Sequence, residues 1–125
     1  MLWAGPGATS MAPVTIAAQT GPTAAAAAHH LPVLPGSNVA FVNAMAHVIV
    51  TEGRYDADFL AARCENVEDY LAFSARAENW PEAAAEATGL DPVEARAAAR
   101  RYATAANGAI YYGLGVTEHA QGSTA

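Results

Sequence analysis

The stretch Asp91-Pro92-Val93-Glu94 opens the segment that most limits what this chain can become. An aspartate able to cap a helix is followed by proline at the first helical position and glutamate at the third. The cap side chain and the third-position carboxylate can satisfy two orphan amides reciprocally, and proline lacks the N–H that would otherwise go unpaired. Val93, Ala97 and Arg100/Arg101 distribute around the cylinder, and Tyr102 closes the pattern. Asn107-Gly108 breaks the helix, and "AIYYG" follows at once as an apolar, aromatic strand. Helix, tight turn and strand make half of a βαβ unit, so the chain reads as an α/β piece.

The other regular segments lie upstream. "GSNVAFVNAMAHVIVTEG" sets Val42, Met45, Ala46 and Ile49 on one helical face. Ser37 or Asn38 can cap that helix, and Gly53 is placed to end it. "YDADFLAARC" reads as a second helix, capped by Asp56, with Phe59, Leu60 and Cys64 facing inward. "NVEDYLAFSARA" reads as a third, capped by Asn66, with Tyr70 and Phe73 apolar. "WPEAAAEATG" is a short helix with Pro81 at its first position and Gly89 at its end. Residues 1–28 are mostly Gly, Pro, Ala, Ser and Thr and read as largely irregular, with Val14–Ile16 as a short strand. Two prolines bracket "VL" in "HLPVLPG", which confines any strand there to a short or edge strand. The expectation is a helix-rich α/β unit over 29–125 with two or three short strands.

Composition narrows the function classes. The chain has 125 residues, enough for at most one domain. Its net charge of −6 comes from six arginines, no lysine and twelve acids, which is no nucleic-acid footprint. No apolar run approaches the roughly 18 residues of a membrane span. The N-terminus has no basic residue before Arg54 and makes a poor signal peptide. The single cysteine, Cys64, leaves no intrachain disulfide and no cysteine-only metal or iron–sulfur site. These features suit a cytoplasmic chain.

The loop after "AIYYG" carries the chemistry on offer. In an open α/β sheet, ligands bind beyond the carboxyl ends of the strands. Gly113 and Gly115 let the backbone approach a ligand, free N–H groups suit phosphate or ring carbonyl oxygens, and Glu118 can accept from an amino-substituted heterocycle. An ordinary strand-to-helix turn has the same spacing, since short glycine motifs are unspecific. Adjacent His29 and His30 on a strand point to opposite faces and read as structural. His47, within an apolar helix, reads as a hydrogen-bonded, partly buried histidine rather than a general base. Cys64 reads as a small packing residue, and Arg100-Arg101 as favourable charges at a helix C-terminus.

Longer stretches carry a resemblance. "RRYATAANGAIYYGLGVTEHAQGST", "PGSNVAFVNAMAHVIVTEGRYDADFLAARCE" and "WPEAAAEATGLDPVEARAAARRYA" resemble the catalytic alpha subunit of molybdenum-dependent formate dehydrogenases, in the family's order and spacing. The likeness is nearest the soluble NAD-dependent type, which has Thr-Glu-His where many relatives place Gln at the position of Glu118. It runs from about Pro35 to Ala125, roughly three quarters of the chain. Further back, "VTIAAQTGPTAAAAAHHLPVLPG" lies on the family's strand, Asp-Pro-Arg-Arg-Thr and His-Leu-Pro pattern. There Ala17, Ala18, Gln19 and Thr20 stand in place of Asp-Pro-Arg-Arg, so every polar anchor of that motif is replaced.

The resemblance implies part of a Rossmann-like domain that binds one half of a molybdenum or tungsten bis-(pyranopterin guanine dinucleotide) cofactor. It implies formate as the substrate and diaphorase-type flavin and iron–sulfur subunits as partners, with neither nucleic acid nor membrane. Two cofactor contacts carry over. One is the turn of Gly36, Ser37 and Asn38; the other is the loop of Gly113, Leu114, Gly115, Val116, Thr117 and Glu118. The family's metal-ligating Cys or selenocysteine, its iron–sulfur cysteines and its substrate arginine match no position here. The expectation is therefore no catalytic residue, no metal ligand and an inactive isolated chain. A degenerate, non-catalytic fragment and a piece of a nitrate reductase are the competing readings; the "YYGLGVTEH" loop argues against the latter.

Overall fold

The computed structural model describes residues 2–4, 14–16, 21–106 and 108–113. In chain order they form β1 (Leu2–Ala4), β2 (Val14–Ile16), α1 (Pro22–Ala26), β3 (His29–Leu31), α2 (Asn38–Thr51) and α3 (Ala57–Arg63). There follow α4 (Val67–Ser74), a single 3₁₀ turn (Ala77–Asn79), α5 (Pro81–Thr88), α6 (Pro92–Ala103) and β4 (Gly108–Ile110). The sheet order is β3-β2-β1-β4. β2 and β3 are parallel, and β1 is antiparallel to both of its neighbours, β2 and β4. It follows that β2, β3 and β4 all run the same way, with β1 reversed among them. β1 and α1 fall in the segment whose composition reads as irregular.

The core is a helical cluster. α2 packs chiefly against α6 and α5, then α4. Leu31, Val33, Phe41, Met45, Val48, Leu90, Ala95, Ala98 and Ala99 are buried together, with Ile49 and Tyr102 partly buried against them. On α2 the period matches the sequence expectation but the phase does not. Phe41, Ala44, Met45 and Val48 are buried, whereas Val42 is 56% exposed. Apolar residues occur on nearly every side of α2, so spacing alone defines a repeat without saying which stripe faces inward. The large Phe41 side chain takes the interior position, because burying it removes the most apolar area. α6 presents Ala95, Ala98 and Ala99 to α2, and such small side chains let two helices approach closely.

Helix ends follow local chemistry where the side chains reach. Asp56 Oδ1 accepts from the Phe59 amide at 2.9 Å. Asp91 Oδ1 accepts from the Val93 amide at 2.8 Å, so the aspartate half of the expected reciprocal cap is formed at the second position. Gly53, at φ +62°, closes α2 with Gly53 N donating to Val50 O and Arg54 N to Ile49 O. That pair of bonds is the Schellman ending. Gly89 ends α5 in the left-handed region, as expected. Asn66 occupies the cap position of α4 at φ +54° and makes no side-chain cap bond.

Two further expectations, for α3 and the last strand, are corrected, and the exposure of α4 is new. α3 has no buried residue: Phe59 is 58% exposed, Cys64 is exposed and Leu60 is only half-buried. On α4, Tyr70 is 56% exposed and Phe73 half-buried. The last strand covers Gly108–Ile110 rather than "AIYYG", and Tyr111 and Tyr112 leave the ladder exposed. Its length is set by its partner: Leu2, Trp3 and Ala4 pair with Ile110, Ala109 and Gly108.

A salt-bridge network ties the ends of α2 and α6. Glu52 accepts from Arg54 Nε at 2.6 Å, from Arg100 Nε at 2.9 and 3.0 Å, and from Arg100 Nη2 at 2.7 Å. The hydrogen bonds from Arg100, then those from Arg54, hold the Glu52 carboxyl at about 2, well below the usual carboxylate value of 4.5. A depressed folded-state pKa stabilises the fold above the unfolded value and loses that contribution as pH falls towards the folded one. The melting advantage of the native chain over Glu52→Gln should therefore be full at neutral pH and shrink between pH 4.5 and about 2. Paired thermal melts across that range check it.

Candidate functional site

The turn before α2 holds the first of the two expected cofactor contacts. β3 ends at Leu31, and the chain then runs through Pro32–Pro35 to Gly36. Gly36 adopts φ +83°, and a Cβ built there meets nothing within 4 Å. This glycine is required by backbone conformation rather than by crowding. Ser37 takes the N-cap position of α2, but its hydroxyl turns back and donates to Leu34 O at 2.6 Å. The Ser37 side chain therefore makes no cap bond to α2, and no acidic residue stands in the first turn. Both α3 and α6, by contrast, have an aspartate cap and an acid in the first turn.

With no first-turn acid, this 14-residue helix turns the positive end of its dipole towards the space before it. Such an end suits an anion or a carbonyl oxygen. Sequence reasoning placed Ser37 or Asn38 at the cap, and Ser37 takes that position without a side-chain cap bond. The run "SNVAF" lacks the Asp or Glu found in the first turns of α3 and α6.

Gly113, the second expected contact, is exposed beyond β4, with open space around a built Cβ. Leu114, Gly115, Val116, Thr117 and Glu118 lie outside the described residues. The two expected contacts are thus reached from the carboxyl ends of β3 and β4, which run parallel at opposite edges of the sheet. At about 4.8 Å per strand, three spacings separate these strands by roughly 14 Å.

The remaining chemical side chains divide clearly. His47 is buried, and its Nδ1–H donates to the Ser74 carbonyl at 2.9 Å. A carbonyl can only accept, so the donor tautomer is defined and His47 is a tether between α2 and α4. Its ring lies 5.9 Å from that of Trp80. Arg100 is engaged by Glu52. His29 and Arg101 line a cavity of about 140 Å³ between β3 and α6, with Leu31, Glu94, Ala97 and Ala98. That volume is well below the few hundred cubic ångströms of a cofactor pocket. Among the described residues, no group of three or more His, Cys, Asp or Glu is placed to hold a metal ion.

Comparison with known proteins places this arrangement. No protein-family model matches the chain. It is 44% identical over 101 residues to formate dehydrogenase H of Escherichia coli (strain K12), covering 80% of this chain and 14% of that protein. It is 34% identical over 109 residues to the F420-dependent formate dehydrogenase 2 alpha subunit of Methanococcus maripaludis, covering 87% of this chain and 16% of that one. A nitrate reductase of Symbiobacterium thermophilum is 40% identical over a shorter 78-residue stretch, covering 56% of this chain and 10% of that protein. Among solved structures, acetylene hydratase from Pelobacter acetylenicus superposes with a TM-score of 0.77 at 27% identity, over 82% of this chain and 14% of that one.

An α/β piece with this likeness to formate dehydrogenases and to acetylene hydratase belongs to the molybdopterin oxidoreductases. Within that family it corresponds to a stretch of the molybdenum-dependent formate dehydrogenase alpha subunit. The chain spans about 14% of the length of the first of these relatives.

Proposed function

We propose that this chain is the part of a formate-oxidising alpha subunit that holds one guanine dinucleotide arm of a molybdopterin cofactor. The observation that carries the reading is the acid-free amino end of α2 behind a left-handed Gly36. The positive dipole end of α2 is suited to a phosphate or a guanine carbonyl, and Gly36 lets the backbone pass close to it. Ser37 and Asn38 complete that turn. The loop Gly113–Glu118 is assigned to the same cofactor by its family pattern. β3 and β4 run the same way with β2 and β1 between them, and that separation favours an elongated ligand touching both ends. When bound, the pterin and its molybdenum or tungsten would supply the two-electron chemistry. This chain's residues bind and orient.

The residues present fit a nucleotide arm and not a metal. In this reading residues 29–125 form part of a Rossmann-like domain, and 1–28 are a poorly matched, largely irregular N-terminal segment. The whole enzyme oxidises formate in the cytoplasm, passing electrons towards NAD through flavin and iron–sulfur subunits. The nitrate reductase likeness keeps a different substrate as the competing reading, and its shorter span favours formate.

Guanosine diphosphate titrated into the purified chain, followed by calorimetry, tests the nucleotide contact. Gly36→Val should weaken binding at least about tenfold, equivalent to about 1.4 kcal/mol. Gly53→Ala carries comparable strain at φ +62° away from the site and should leave binding unchanged. Equal loss in both variants, or no saturable binding in the native chain, would overturn the assignment.

A further inference from the structure

We propose that the outer face of α3, centred on Phe59, is a docking surface for the remaining polypeptide of a formate dehydrogenase-type alpha subunit. α3 has every local feature of a helix. Asp56 caps it, Asp58 stands in its first turn and Arg63 in its last. Yet it is seven residues long and buries none of them. Isolated helices shorter than about 12–15 residues are marginal in water, so a helix of this length depends on tertiary packing. Within the described residues α3 makes only glancing contact with other elements, and the Phe59 ring is 58% exposed. The next helix repeats the pattern with Tyr70, 56% exposed. Nothing described in this chain supplies the packing that α3 calls for.

The relatives show where that packing can come from. The matched stretch is 14% of the Escherichia coli protein and 16% of the Methanococcus one, so in each the corresponding segment sits within far more polypeptide. The face is apolar at Phe59 and carries exposed Asp58 beside it and exposed Arg63 one turn on. Its occupant therefore presents an apolar surface to Phe59 with polar groups of both signs around it. The inference rests on family membership and not on nucleotide binding: a chain that ignores guanosine diphosphate would still dock.

Two measurements test it. In the first, the chain is mixed with Escherichia coli formate dehydrogenase H from which the matching stretch has been deleted. Exposed Cys64, next to α3, serves as the reporter, with iodoacetamide labelling of this chain read by intact mass. Docking should give co-elution and slow the labelling at least about tenfold, since a covered thiol is inaccessible. Phe59→Ser should abolish both effects.

The second measurement does not need the deleted protein to fold. Residues 29–125 replace the matching stretch in the intact Escherichia coli protein, and Phe59→Ser is compared there and in the free chain. The substitution should leave the melting temperature of the free chain unchanged and lower that of the chimera by several degrees. Equal effects in both settings would overturn the proposal. So would sedimentation of the free chain as a dimer that Phe59→Ser dissociates, because the occupant would then be a second copy.

Discussion

Replacing Phe41 with alanine should destabilise the chain by about 3–5 kcal/mol, measured by urea unfolding. Phe41 is 1% exposed and sits where α2 meets its neighbours. Removing the ring loses its transfer free energy and leaves a cavity that alanine-faced α6 cannot fill. Domains of this size have roughly 5–15 kcal/mol in all, so most of the native population is at stake. The neighbouring change, Val42→Ala, should cost no more than about 0.5 kcal/mol, as for exposed positions generally. The two variants together test the phase of α2. If the face read from spacing were the buried one, Val42→Ala would be the costly change.

The second large effect is expected from adding volume. Ala99 is fully buried and lies on the face that α6 turns towards α2. Ala99→Leu inserts three carbons where the two helices already touch. The helices must separate or the side chain must leave its rotamer, at a cost of about 1–3 kcal/mol or more. Separation would also pull Arg100 from Glu52, because those side chains bridge the ends of the same two helices. The loss should therefore exceed that of overpacking alone and be partly sensitive to acid. Ala97→Leu, at an exposed position of the same helix, keeps helix propensity equal and should be near neutral. Chemical denaturation of both variants at pH 7 and pH 3.5 separates the contributions.

Local chemistry was the most legible layer. Asp56, Pro81, Asp91 and Pro92 mark helix starts, and Gly53 and Gly89 mark ends, because each acts through its own backbone and the nearest turn. Asn66 and Ser37 were less legible for the same reason turned round. A side chain that can cap can also do something else, and Ser37 is drawn to Leu34 O instead. Which face is buried was not legible on α2 or α3. On α2 apolar residues surround the helix, and on α3 none of the apolar residues is buried. The last strand was read too long because its length depends on β1, far away in sequence.

The sequence by itself determined that this is a helix-rich α/β chain of the formate dehydrogenase alpha-subunit kind, and where most of its helices start and stop. Those properties reside in short-range hydrogen bonding and in residue order, which need no long-range partner. Only the tertiary structure decided that Phe41 and the alanine face of α6 form the core, that Glu52 joins α2 to α6, and that the Ser37 hydroxyl turns to Leu34 O. The first two of these depend on which distant surfaces meet, and periodicity leaves that choice unmade.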